Sequence, residues 1–152
     1  MGVSHTMSIR SYRDSDLLAV LDIYKKSKLD ELQFEGERFE LVPLNEDPVR
    51  FSKFRESDIY VFEKGGIVAY CALHNSNIEA IYVNPKFRRM GIARALLEFL
   101  LGKVKGNVSL NVAKNNQPAK ELYIEYGFEV ENEFLTSYNS VKAVAQKMVL
   151  KR

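Results

Sequence analysis

Apolar positions along the chain switch between a period of two and a period near 3.6, and the switches mark its elements. Ile9 and Ser11 alternate with Arg10 and Tyr12 between Ser8 and Arg13, which predicts a short first strand. Asp14-Ser15-Asp16 supplies helix-capping chemistry, and Leu17, Val20, Leu21 and Tyr24 then recur at helical spacing, predicting a helix to about Ser27. From Lys28 to Ser57 the pattern weakens. Gly36, Pro43 and Pro48 interrupt it, and Asn45-Glu46-Asp47 offers a cap for a short helix through Val49, Phe51 and Phe54. Ile59 to Phe62 and Ile67 to Leu73 are apolar runs separated by Glu63-Lys64-Gly65-Gly66, a hairpin signal, and Ile78 to Val83 follows Asn75-Ser76-Asn77 to complete a meander. Ile92, Ala95, Leu96, Phe99 and Leu100 form the stripe of a helix ending near Lys103 to Gly106, after which Val108, Leu110 and Val112 alternate with Ser109 and Asn111 as a strand. Pro118 fits the first turn of a helix capped by Asn115 or Asn116, with Gly127 suited to its C-terminal end. Phe128 to Leu135 and Ala143 to Leu150 are two last apolar runs around a Thr136-Ser137-Tyr138-Asn139-Ser140 loop. Met1 to Thr6 has no pattern, so residues 1–7 read as an N-terminal extension with Met7 as a native start, and 8–152 as a single domain.

The stretch from Tyr82 to Arg94 carries the first chemistry. A strand runs through Pro85 and a basic turn with Gly91 into a helix, which leaves backbone N–H groups unpaired at the positive end of the helix dipole. Arg88, Arg89 and Arg94 add full charges, while Gly91 and Ala93 let an anion approach the main chain. Arg88-x-x-Gly91-x-Ala93, preceded by Ile81-Tyr82-Val83-x-Pro85, resembles the pyrophosphate-binding motif of the GCN5-related N-acetyltransferase (GNAT) superfamily. A second stretch, Asn116-x-x-Ala119-x-x-Leu122-Tyr123-x-x-x-Gly127-Phe128, resembles the helix that follows the central crossover in the same superfamily. The resemblance implies an α/β fold of the α+β type: a mixed, mainly antiparallel central sheet of about seven strands flanked by about four helices.

It also implies an acyl-CoA N-acyltransferase that uses acetyl-CoA and no metal. The backbone of Ile81, Tyr82 and Val83 would pair with the pantetheine arm as an added strand, at an edge freed where two central strands splay apart. N–H groups of Arg89, Met90, Gly91, Ile92 and Ala93 would hold the pyrophosphate, with Arg88, Arg94 and Asn116 completing the donor site. Acetyl transfer to an amine requires a neutral nucleophile, a stabilised oxyanion and a hydrogen bond or proton for the departing thiolate. Tyr123 matches the family's usual acid, although donating fully from a phenol to a thiolate is uphill by about 2 kcal/mol at reference pKa values. The residues alone leave Tyr123 open as a core aromatic on a stripe with Ala119, Leu122 and Tyr126. Glu79, expected to share a strand face with Ile81 and Val83, is either a base, directly or through water, or a surface carboxylate. Asn77 lies on the same expected face and does not titrate.

Composition narrows the rest. The 152 residues suit one domain, and 46% hydrophobic with 28% charged residues is ordinary for a globular protein. No apolar run reaches a membrane span and no signal-peptide core is present, so cytoplasm is the default location. A net charge of +2 gives no ground for nucleic-acid binding. Cys71 has no intrachain disulfide partner, and no C-x-x-C or His cluster offers a metal site. Cys71 and His74, three apart on a strand, point to opposite faces and make no nucleophile–base pair, so Cys71 reads as core. Between Leu29 and Asp58 nine acids stand against four bases, which is either a solvated face or the border of a site for a cationic substrate. In the superfamily acceptor choice lies in segments corresponding to Leu29 to Ser57 and Thr136 to Ser140, and peptide N-termini, lysines, polyamines, aminoglycosides and amino metabolites all fit the resemblance. Homodimers are common there. A non-catalytic acyl-CoA sensor is the alternative function, whereas a different nucleotide is disfavoured by the lack of G-x-x-x-x-G-K-[ST] or G-x-G-x-x-G.

Overall fold

The computed structural model describes residues 8–32, 40–138 and 140–152. The N-terminal extension expected at residues 1–7, together with Gly36 and Asn139, lies outside them. Among the described residues, seven strands form one sheet: β1 (Ile9–Ser11), β2 (Asp58–Glu63), β3 (Ile67–His74), β4 (Asn77–Val83), β5 (Val108–Ala113), β6 (Glu129–Tyr138) and β7 (Val141–Leu150), in the order β1-β2-β3-β4-β5-β7-β6. Four α-helices accompany it: α1 (Leu17–Leu32), α2 (Pro48–Glu56), α3 (Ile92–Lys103) and α4 (Gln117–Glu125). Every strand pair is antiparallel except β4 with β5, which are parallel because α3 carries the chain back between them.

Local chemistry explains the elements. Asp47 caps α2 by accepting from the Arg50 N–H at 3.1 Å, with Pro48 in the first turn where no N–H is needed. The β2–β3 turn uses Gly65 and Gly66 at φ 67° and 139°, a backbone that side chains disfavour. β3 is buried from Val68 to Leu73 because both sheet faces are covered. One face packs Cys71, Leu73 and Leu110 against Leu96, Leu97 and Leu100 of α3. The other packs Val61 and Tyr70 against Val20, Ile23 and Tyr24 of α1. Cys71 is thus core, as its spacing suggests, and its thiol is pushed up to about 12 by burial.

Two boundaries differ from the sequence expectation. α1 runs to Leu32 rather than Ser27, because its buried stripe continues through Ser27 and Lys28, polar residues that end a hydrophobic count but not the helix. The last hairpin is longer than expected. Thr136, Ser137 and Tyr138 are paired strand residues opposite Ala143, Lys142 and Val141, not loop. No helix among the described residues is long and apolar enough to cross a membrane.

Candidate functional site

β4 and β5 touch at only two rungs, Asn77 with Ser109 and Ile78 with Leu110. Past Ile78 each strand stays with its outer neighbour, β4 with β3 and β5 with β7, so the sheet opens as a wedge. The opening begins at a bulge. Ala72 pairs with Ala80 while Leu73 pairs with Ile78, which leaves Glu79 as the extra residue of β4. Unpaired on the β5 side, the β4 backbone from Ala80 to Val83 borders a cleft of about 820 Å³.

The bulge corrects one expectation. Ile78, Ile81 and Val83 pack with the α3-side cluster and Ala80 and Tyr82 with the α1-side cluster. Strict alternation would put Glu79, not Ile78, with Ile81 and Val83. The inserted residue shifts the phase, so Glu79 does not share their face, although it is exposed and lines the cleft. Asn77 is likewise off that face, and its side chain accepts from the Ser109 hydroxyl at 2.8 Å.

At the mouth, Gly91 sits at φ 76° as the residue before α3, and Arg89 adopts φ 61°, a rare backbone for a side-chain-bearing residue. The first bond of α3 runs from the Ala95 N–H to the Gly91 carbonyl at 2.9 Å, leaving the preceding N–H groups for an external acceptor. A Cβ on Gly91 would meet nothing within 4 Å, so the space in front of the cradle is open. Arg88, Arg89, Gly91, Ile92, Ala93 and Arg94 line the cleft, while Met90 is 44% exposed and outside the lining. Arg88 pairs with Asp30, and Arg94 pairs with Glu125 with its guanidinium 5.5 Å above the Tyr126 ring.

On the other wall, Asn116 caps α4, its Oδ1 accepting from the Ala119 N–H at 3.4 Å. That helix presents Tyr123 to the cleft, with its ring 5.8 Å from Phe128. Burial raises the phenol's pKa well above its ordinary value, and negative Glu31 raises it further. Sequence reasoning missed the opposite end. There Tyr24, Lys28, Arg50, Tyr70, Tyr82 and Tyr138 converge from five elements, and the only sequence signals are the two acceptor-side segments that the resemblance implies, Leu29 to Ser57 and Thr136 to Ser140, which hold Arg50 and Tyr138.

A wedge between two splayed central strands, with a left-handed glycine and a helix N-terminus at its mouth, presents unpaired backbone groups along its wall and N–H donors suited to an anion at its end. The sequence profile of the Acetyltransferase (GNAT) family matches residues 17–128. The chain belongs to this family. As a GNAT protein it is an N-acetyltransferase with acetyl-CoA as acetyl donor. Among solved structures, it resembles a GCN5-related N-acetyltransferase from Rhodopseudomonas palustris (14% identity, TM-score 0.79, covering 95% of this chain and 94% of that one). A second likeness is to the ribosomal-protein-S18-alanine N-acetyltransferase from Escherichia coli (21%, 0.70, 94% and 92%). A third is to a Salmonella typhimurium protein solved with its cofactor acetyl-CoA (18%, 0.71, 94% and 92%). These likenesses establish the GNAT fold. No curated protein matches the chain at a significant level. Among the described residues, no cluster of His, Cys, Asp or Glu is built to hold a metal.

Proposed function

We propose that this GNAT protein transfers acetyl directly from acetyl-CoA to a primary amine, both held in the cleft at once. The observation that carries this is the wedge. It offers a free β4 edge, the α3 cradle and Tyr123 along one continuous surface, and the same cleft extends past Tyr82 to Tyr24, Lys28 and Arg50, where a second substrate would sit. The amides of the donor's arm would pair with Ile81, Tyr82 and Val83, its phosphates would lie on the N–H groups from Arg89 to Ala93, including that of Met90, and Arg88 and Arg94 would add charge. Bound there, the donor supplies an activated thioester.

Tyr123 then acts chiefly as a hydrogen-bond donor to the leaving sulfur. Its raised pKa keeps it protonated at pH 7 but makes complete proton transfer harder still than reference values suggest. Asn116 contributes by fixing the start of the helix that aims Tyr123, since its own oxygen is engaged in the cap. Glu79, exposed at the bulge and lining the cleft, would take the amine's proton through water.

The test is thiol release from acetyl-CoA with a panel of amines and peptides, run on the natural sequence and on Tyr123→Phe. Release should depend on the amine. The substitution should lower kcat about 100-fold while leaving acetyl-CoA affinity within about twofold, the scale for removing one transition-state donor. An unchanged kcat would remove Tyr123 from the mechanism, and tight binding with no release from any amine would favour a sensor instead.

A further inference from the structure

Beyond Tyr82 the cleft ends in a chamber whose chemistry is specific. The Tyr138 ring has the Lys28 ammonium 5.1 Å from its centroid and the Arg50 guanidinium 4.7 Å from it. Tyr24 stands edge-on to Tyr82 at 5.8 Å, and Tyr82 lies 5.6 Å from Tyr70. Lys28 is 9% exposed, an unusual depth for a lysine, and its bond to Glu31 spans 3.2 Å. Arg50 gives only Nη1 to Asp47, at 2.9 Å, which leaves most of its donor fork unused among the described residues. The Tyr24 hydroxyl is buried with no partner, although Tyr24 is only 3% exposed and lines the cleft.

An orphan hydroxyl in such a place costs about 1–3 kcal/mol. Buried Lys28, half-buried Arg50 and an unpartnered phenol at a cleft end are a poor site for a cationic amine such as a polyamine. They do suit an anion. Among the described residues, Lys28, Arg50 and Lys53 line this end, with Glu31 and Asp47 paired to the first two, so about one unit of positive charge remains among them, which matches a carboxylate better than a dianionic phosphate. The acidic bias of the Leu29 to Asp58 segment therefore does not describe its cleft-facing side: Asp30 is paired with Arg88 and Glu31 with Lys28.

Resting on the acetyltransferase reading above, we propose that the acceptor is a small amine bearing a carboxylate, held by the Arg50 guanidinium, the Lys28 ammonium and the Tyr24 hydroxyl, with its amino end directed past Tyr82 towards Tyr123. The planar fork of Arg50, held over the Tyr138 ring and bonded to Asp47, suits such a group. The Tyr24 hydroxyl gains the partner that it lacks among the protein's own groups.

The experiment is calorimetric titration of the CoA-loaded protein with the twenty standard L-amino acids and with their C-terminal amides, after a titration with acetyl-CoA alone. At least one acid should bind about tenfold or more tightly than its own amide, the scale of one charge-assisted hydrogen bond. Arg50→Ala should bring that ratio close to one, and Tyr24→Phe should reduce it several-fold, each with acetyl-CoA affinity and melting temperature near those of the natural sequence. Arg50→Lys should restore part of the ratio. Amides binding as well as acids, no acid binding to the loaded protein, or a ratio that survives Arg50→Ala would each overturn the proposal. Failure of the first titration is distinguishable, because it would overturn the donor reading and this inference with it.

Discussion

The two ends of the cleft are built on opposite principles. In the binding mode proposed above, recognition at the donor end belongs to the backbone: a strand edge freed by a bulge, a left-handed glycine and the first N–H groups of α3. At the other end it belongs to side chains brought from α1, α2, β3, β4 and β6, with no shared stretch of sequence. A main-chain site constrains a short run of residues, because only certain types permit its φ angles and close approach. A side-chain site constrains isolated positions far apart in the chain. The first can be common to many acetyltransferases while the second varies with the acceptor.

The sharpest way to break this contrast is to damage the backbone site alone. Gly91→Glu introduces a side chain at φ 76° and places a negative charge in the open space before α3. Backbone strain of about 1 kcal/mol or more, added to repulsion between the carboxylate and the donor's phosphates, should weaken acetyl-CoA binding by at least about 100-fold. Amino-acid binding to the CoA-free protein should change little. Retained acetyl-CoA affinity, measured by calorimetry, would sink the cradle.

The same contrast explains what could be read without coordinates. The meander, the crossover helix and the two motif stretches were legible because each depends on local periodicity or on residues such as Gly91 and Pro118. Glu79's orientation was not. A bulge is a register event between β3 and β4, invisible to a period-two count along one strand. Nor was the chamber: Tyr24 and Tyr70 look like ordinary core aromatics until Lys28, Arg50 and Tyr138 are folded around them. The loop composition of Thr136-Ser137-Tyr138-Asn139-Ser140 hides Tyr138, because pairing with β7 holds the first three residues in a strand.

A smaller effect tests the scaffold of the side-chain end. Asp16, 5% exposed, accepts from both terminal nitrogens of Arg10, at 2.8 and 2.9 Å, and from the Arg13 N–H at 2.8 Å, tying the start of α1 to β1. Those bonds hold its carboxyl pKa below the ordinary value. The unfolded chain therefore binds this proton more readily than the folded one. The stabilisation is fully present above the unfolded pKa of about 3.9 and is lost as pH falls through the lower folded value. Asp16→Ala should cost about 2 kcal/mol at pH 7, and the difference from the natural sequence should shrink under acid conditions below about pH 4. Denaturant melts at several pH values check this. A difference that does not change with pH would show that the charge is not what stabilises α1.

The smallest effect concerns the seam between the two ends. Ser27, on α1, donates to the Val83 carbonyl at 3.0 Å, so the acceptor-side helix is bonded to the last residue of the donor-side edge. Ser27→Ala should lower stability by about 1 kcal/mol, the net contribution of one such bond plus the carbonyl left with a poorer partner. Its effect on ligands is the more informative readout. If the ends are independent, acetyl-CoA affinity should stay within about twofold, because removing the Ser27 hydroxyl leaves the Val83 carbonyl and the N–H groups of α3 in place. A larger loss of acetyl-CoA affinity, reversed by Ser27→Thr, would mean that α1 sets the line of the β4 edge. The donor site would then be less purely local than its motif suggests, and an acceptor that orders α1 would tighten acetyl-CoA binding by the same factor.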